Sequence, residues 1–296
     1  MPGVLGHYRN GNTDVVILED GTKIRETKDD EFDPVFPEAT DVKITNFCPE
    51  DCAFCHEDSG PNGVHGDILG AAFFDSLQPF SELAIGGGCP LSHPDLIPFL
   101  VRLKTKQVIA NVTISQNTFM ANYLFVKQLV TDELIRGLGI SFRSIDEQFI
   151  EHLVKFPNVV LHVINGVADI AQLATLYGKD LKILILGYKQ LRRGLDFYSK
   201  EVERRKHEMD AALPAILKGF KVVSFDNLAL EQLDVRRLMT PARWKLFYQG
   251  DDGKGTATMY VDVVRREFAR SSTSNLRYPL LDNITDMFAT IKAETS

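Results

Sequence analysis

The sequence predicts an α/β fold built on a parallel β-sheet, and two observations carry that prediction. From residue 41 to about 190, short apolar runs of strand type alternate with longer segments of helical period. Along two of the strands, one face is polar or glycine, which a sheet covered by helices on both faces would not tolerate.

Taken in order, residues 1–40 are polar and acidic. They contain an apolar run at 15–18, the turn Glu19-Asp20-Gly21-Thr22 and a second run at 23–25, the pattern of a β-hairpin. This reads as an N-terminal extension. Strand patterns then fall at 42–47, 82–87, 110–116, 137–142, 159–164 and 181–186. Helical patterns lie between them at 69–78, 95–106, 119–131, 145–156 and 168–178. Strands that cross over through helices pair in parallel. Periodicity alone leaves open whether such a sheet closes towards a barrel or stays doubly wound. Asn111, Thr113, Ser115 and Asn117 share one face by the period-2 rule, as do Gly139, Ser141 and Arg143. A barrel or half-barrel with a lumen fits that better than a two-sided apolar sheet.

After residue 190 the alternation stops. A charged amphipathic helix is expected at 195–218 and a closing strand at 222–225, within a unit spanning 191–240. A cap over 241–296 then carries a helix at 241–248, a glycine-rich turn at 251–255, a hairpin around 259–269 and a last helix at 283–292.

With 44% hydrophobic and 25% charged residues, the chain can bury an ordinary globular core. Its net charge of −7 makes it a poor overall match for nucleic acid. Arg192-Arg193 and Arg204-Arg205-Lys206 are the local basic runs. No apolar run reaches the roughly 18–20 residues that span a bilayer. The start, Met-Pro-Gly-Val-Leu-Gly-His, has no signal-peptide pattern, so a cytoplasmic location is expected. Cysteines there are normally reduced, and serve metals or catalysis more often than disulfides.

Of the four cysteines, Cys48, Cys52 and Cys55 fall within eight residues, just after the first core strand. Ligand sites of parallel β/α folds gather at that edge. Three thiolates suit an iron–sulfur cluster with one iron left without a protein ligand. They also suit zinc, if His65 or Cys89 completes the set.

Cys48-Pro-Glu-Asp-Cys52-Ala-Phe54-Cys55 resembles the CxxxCxxC signature of the radical S-adenosylmethionine (SAM) superfamily, including the aromatic residue before the last cysteine. Ala84-Ile85-Gly86-Gly87-Gly88-Cys89-Pro90 resembles the family's glycine-rich motif at the end of the second core strand, with Cys89 where a glutamate is usual. The resemblance covers about residues 41–190. It implies a partial (β/α)6 TIM-like barrel holding one [4Fe–4S] cluster on Cys48, Cys52 and Cys55. SAM would chelate the open iron through its amino and carboxylate groups. Reductive cleavage of SAM would give a 5′-deoxyadenosyl radical that abstracts a substrate hydrogen, with an electron donor such as flavodoxin or ferredoxin.

The same resemblance points to SAM contacts at Gly86, Gly87 and Gly88, at Ser115 and Asn117, and at Ser141 and Arg143. Arg143 is placed to pair with a carboxylate. Asn165, Leu186 and Tyr188, at the ends of the fifth and sixth core strands, would line the adenine. Cys89 reads as a packing residue, a reactive thiol or a further metal ligand. His56 and His65 read as substrate groups or loop residues, and His162 as a satisfied core residue. Asp226, Asn227 and Glu231 are possible substrate contacts by position. The segment 259–284 faintly resembles, without its cysteines, the SPASM-like extension of peptide-modifying members. That favours a peptide or protein substrate, with a nucleotide or small metabolite as the rival. A non-enzymatic zinc or iron–sulfur module, and a member that binds SAM without using it, are the other readings.

Overall fold

The computed structural model describes residues 2–156, 158–248 and 257–294. The N-terminal extension is a three-stranded antiparallel sheet of β1 (Val4–Asn10), β2 (Thr13–Leu18) and β3 (Lys23–Glu26). The expected hairpin is β2–β3. β1 escapes a reading by alternation because its inward positions are Gly6, Tyr8 and Asn10. Asn10 is fully buried and makes the backbone bonds that a strand would, donating to Phe36 O (2.8 Å) and accepting from Val35 N (2.8 Å).

The core then runs β4 (Ala39–Thr45), β5 (Glu82–Gly87), α1 (Leu96–Thr105), β6 (Ile109–Ser115), α2 (Gln116–Ala121) and α3 (Tyr123–Thr131). It continues through β7 (Gly137–Ser141), α4 (Glu147–Leu153), β8 (Val159–Ile164), α5 (Ile170–Ala174) and β9 (Lys182–Leu186). α6 (Arg193–Phe197), α7 (Lys200–Gly219), β10 (Val222–Phe225), α8 (Asn227–Gln232) and α9 (Pro241–Phe247) follow. The chain ends in β11 (Thr258–Asp262), β12 (Glu267–Ala269), β13 (Tyr278–Pro279) and α10 (Ile284–Ala293).

All six predicted core strands form. The segment 69–78 yields only a 3₁₀ turn at Ala72–Ser76, because Gly70 and Pro79 flank a run too short for a stable helix. The helical pattern at 119–131 divides at Asn122, and that at 195–218 divides into α6 and α7. The glycine-rich turn expected at 251–255 lies outside the described residues.

Ten strands make one sheet in the order β10-β9-β8-β7-β6-β5-β4-β11-β12-β13, parallel from β10 to β11 and antiparallel beyond. Strands adjacent in sequence are adjacent in space from β4 to β10, so the sheet winds in one direction. Its order is linear, and no closed barrel forms among the described residues. β11 pairs in parallel with β4, Thr258 opposite Ala39 and Asp262 opposite Lys43. The C-terminal segment thus extends the sheet rather than standing apart from it.

One face is apolar. Leu83, Ile85, Val112, Ile114, Leu138, Ile140, Leu161, Val163, Ile183 and Ile185 alternate along the strands and pack under Phe99, Phe119, Phe149, Leu173 and Leu213 of the helices. Each such burial is worth about 1.5–3 kcal/mol. The opposite, concave face is the polar one. Helix caps sit at its rim: Ser115, Asp146, Asp169 and Asp226 each accept the backbone N–H three residues on. No helix among the described residues is long and apolar enough to cross a membrane.

Candidate functional site

β4 ends at Thr45 and the chain turns at once into the cysteine loop. Cys48 N donates to Gly60 O (2.9 Å), Gly60 N to Asn46 O (3.1 Å) and Cys55 N to Cys52 O (3.1 Å). Arg193 reaches the loop from α6, meeting Asp51, Asp58 (3.1 Å) and Ser59 O, while Arg192 donates to His56 O (2.7 Å). The basic pair 192–193 is therefore occupied in holding this loop. Arg204 and Arg205 are likewise paired with Glu201 and Glu208 along α7.

The glycine run divides its labour. A Cβ at Gly88 would lie 2.1 Å from Phe47 O, and Gly87 sits at φ +105° against Thr45 O and the Lys43 stem. These two let β5 pack onto the cysteine loop, sealed by Gly88 N→Thr45 O (2.8 Å) and Cys89 N→Phe47 O (2.7 Å). Gly86 is different: nothing lies within 4 Å of where its Cβ would be, so its surface is open.

Glu50, between the first two cysteines, went unnoticed in the sequence although it lies inside the motif. Its carboxylate gathers the residues expected to bind a ligand. It accepts from Ser115 Oγ, from Thr118 Oγ1 (3.3 Å) and from Asn117 Nδ2 (3.4 Å), and pairs with Arg143 NH2 (2.8 Å). The buried Gln116 aims Arg143 by accepting its backbone N–H (2.9 Å). Arg143 also donates to Cys52 Sγ. This is a preformed anion-binding set, filled from within.

Cys48, Cys52 and Cys55 are free and partly exposed. Burial pushes the thiols of Cys48 and Cys52 up, and the Arg143 guanidinium opposes the shift at Cys52. Among the described residues, no three His, Cys, Asp or Glu side chains are gathered as one metal ion would need. Zinc holds thiolates at about 2.3 Å and needs them closely convergent. A cubane cluster seats each cysteine on a different iron and needs them spread around it. Three thiols on one loop, facing one cavity, fit a cluster better than a single ion.

Behind the loop lies a buried charge network. Lys43, 2% exposed, pairs with Glu57 (2.9 Å) and with Asp262 of β11 (3.4 Å). Tyr260 OH donates to Glu57 (3.3 Å), and Lys189 Nζ lies 3.3 Å from His56 Nε2 and 2.8 Å from Ser272 Oγ. Burial opposes the Glu57 charge, yet His56 and Lys43 hold its carboxyl well below the usual range. Burial and the Lys189 ammonium push His56 down.

A cavity of about 800 Å³ fills the concave face, with walls from every strand between β4 and β10 and from Tyr260 of β11. The three cysteines and Glu50 stand at one end. The N-terminal sheet covers the other through Leu5, Ile17, Asp20 and Gly21, tied on by Arg136→Glu19 O (2.7 Å) and the Arg25–Glu38 pair. The walls include Gly86, Gly87, Gly88, Ser115, Ser141, Arg143, Leu186 and Tyr188, and also His56 and Asp226.

Other predicted residues lie elsewhere. Asn117 is exposed beside the opening. Cys89 is buried behind the wall, its thiol 3.8 Å from Thr118 Oγ1. Asn165 is fully buried and donates to Gln232 (3.2 Å), which also clasps the Tyr188 backbone through both its oxygen and its nitrogen (2.8 Å each). Gln232 is a second residue that the sequence did not single out. His65 bonds Thr45 Oγ1 (2.8 Å) outside the cavity. Asn227 and Glu231 are exposed on α8. His162 corrects the expectation of a satisfied core residue: its ring faces the cavity over Gly139, in the space a Cβ there would take.

No protein-family model matches the chain, and no curated protein matches it. Solved structures do. SuiB of Streptococcus suis bound to S-adenosylmethionine superposes with a TM-score of 0.58 at 12% identity, over 88% of this chain and 68% of that one. SuiB bound to the precursor peptide SuiA gives 0.55 at 13% identity, over 86% and 65%. A further SuiB structure gives 0.53 at 11%, over 92% and 82%. The likeness is one of fold, and the chain spans about two thirds of the SuiB chain in the first two.

Proposed function

We propose that this chain is a radical SAM enzyme whose concave sheet is a partial (β/α)6 barrel carrying a [4Fe–4S] cluster on Cys48, Cys52 and Cys55. The observation that carries the reading is a conjunction on one cavity: three spread thiols, the open backbone at Gly86, and a carboxylate-binding set at Ser115 and Arg143. A zinc or iron–sulfur module of purely structural use would need neither of the last two. The fold neighbour bound to SAM supports the same reading.

When bound, the cluster supplies the electron that cleaves SAM to methionine and a 5′-deoxyadenosyl radical, which takes a hydrogen atom from the substrate. The chain's own residues prepare that event. Gly86 leaves room for the methionyl backbone. Ser115 and Arg143, with Asn117 at the opening, take its carboxylate once Glu50 yields its place. Ser141, Leu186 and Tyr188 line the nucleoside side, and Asn165 acts through Gln232 to fix the Tyr188 backbone. The N-terminal sheet closes the far end against water. A peptide or protein side chain is the substrate class we favour, supported by the neighbour bound to a precursor peptide and by a C-terminal segment joined to the site through Asp262 and Tyr260. A small electron-transfer protein such as flavodoxin or ferredoxin would supply the electron.

Reconstitution without oxygen is the direct test of the cluster. The expected load is about four irons and four sulfides per chain, lost in Cys52→Ala. One zinc per chain with no oxygen-sensitive chromophore would overturn the reading.

A further inference from the structure

Arg143 is held from several sides at once. Its backbone N–H is accepted by the buried Gln116 (2.9 Å), and its guanidinium carbon lies 6.0 Å from the centre of the Phe54 ring. The nitrogen NH2 meets the Glu50 carboxylate (2.8 Å) and also donates to Cys52 Sγ. That nitrogen carries two hydrogens, so it can serve both acceptors. Phe54 and Glu50 belong to the same loop as Cys52, so the loop itself seats the arm beside the sulfur. Gripping a carboxylate requires only the contact that Glu50 makes. The contact with Cys52 is additional.

Electrostatics give that contact a direction. Burial pushes the Cys52 thiol up, the Arg143 guanidinium opposes the shift, and the Glu50 charge adds to it. Negative charge at this sulfur is therefore favoured by Arg143 and disfavoured by Glu50. The side chains are 34% and 11% exposed, so solvent screens the pair only in part. In an iron–sulfur centre, hydrogen bonds to the sulfurs and nearby charge set the reduction potential. A charged donor bonds more strongly to an acceptor that has become more negative, so Arg143 favours the reduced form.

We propose that Arg143 and Glu50 tune the cluster in opposite senses: the guanidinium on Cys52 Sγ raises its reduction potential, and the carboxylate paired to that guanidinium lowers it. The pair thereby sets how readily one electron passes from the donor protein, a transfer in which no bond forms or breaks. This second role of Arg143 rests on the reading of Cys48, Cys52 and Cys55 as cluster ligands. Gln116 is a positioning residue for it, acting through the Arg143 backbone.

The test is a redox titration of the full chain, loaded with its cluster without oxygen and kept free of SAM, followed by electron paramagnetic resonance. Arg143→Gln should lower the midpoint potential and Glu50→Gln should raise it. Each shift should correspond to roughly threefold in the reduction equilibrium, about 30 mV for one electron. Arg143→Lys keeps the charge and loses the planar fork, so its potential should fall between the parent and Arg143→Gln. A purely structural arm would change iron content or melting temperature and would not produce shifts of opposite sign. Equal potentials in the loaded proteins, shifts of one sign in Arg143→Gln and Glu50→Gln, or loss of the cluster from both Arg143 variants would each overturn the proposal. A parent chain that loads no cluster would overturn the underlying reading and the proposal together, whereas a loaded cluster with an unmoved potential overturns the proposal alone.

Discussion

Glu50 places its carboxylate on Ser115, Thr118, Asn117 and Arg143, where the carboxylate of SAM is proposed to go. Two carboxylates cannot share those donors. Glu50→Gln removes the internal anion and leaves the donors in place, so SAM should bind the cluster-loaded protein about three- to tenfold tighter, worth about 1 kcal/mol. Unchanged or weaker binding in a titration would contradict the assignment. His162 gives a second residue-scale prediction. Burial pushes its folded-state value down to about 4, below the ordinary 6.5. Between those values the unfolded chain holds a proton that the folded chain lacks. Stability is therefore full above about pH 6.5 and falls as pH drops towards 4, by on the order of 1–2 kcal/mol given a ring partly open to the cavity. Denaturant titrations across that range should show the slope, and His162→Gln should flatten it. At this scale the sequence was informative where type and spacing mattered together. Cys48, Gly86, Ser115 and Arg143 were singled out so and line one cavity, whereas Glu50 and Gln232 act through contacts made only by folding.

The β5–cysteine-loop junction decides which glycines matter for what. Gly88→Ala drives a Cβ into Phe47 O and should destabilise the loop by at least 1–3 kcal/mol, read as a lower melting temperature and lost iron uptake. Gly86→Ala meets nothing and should leave the melting temperature within about 1 °C, while weakening SAM binding several-fold by narrowing the open side. Equal effects of the two on stability would contradict this division. The core strands were legible because parallel strands buried on the helix side carry dense apolar runs. β1 and α8 were not, and of β11 the hairpin with β12 was expected but not its place beside β4. β1 turns Gly6, Tyr8 and Asn10 inward, α8 is a short turn fixed by its Asp226 cap, and pairing of β11 with β4 joins segments some 220 residues apart. No local pattern encodes such a pairing.

For the molecule as a whole, the Lys43–Glu57–Asp262 network ties the first core strand, the cysteine loop and the C-terminal segment into one unit. Lys43→Met takes the ion-pair partner from the buried Asp262 and leaves Glu57 only His56 and Arg192 for ion pairs, and should cost about 3–5 kcal/mol, with loss of the cluster site as well as of stability. Lys43→Met combined with Glu57→Gln and Asp262→Asn should recover much of the stability, since no unpaired charge remains. If the single variant melts like the parent, the network is not what joins the segments. The cysteine loop stands at one end of the cavity and the N-terminal sheet at the other. The central claim is that the cysteine-loop end cleaves SAM. The most direct measurement is chromatographic detection of 5′-deoxyadenosine after reduced, cluster-loaded protein is incubated with SAM without oxygen. The parent chain should form it, and Cys52→Ala should not. A fully loaded, reduced parent chain that binds SAM and forms no 5′-deoxyadenosine, with or without added peptide, would contradict the claim.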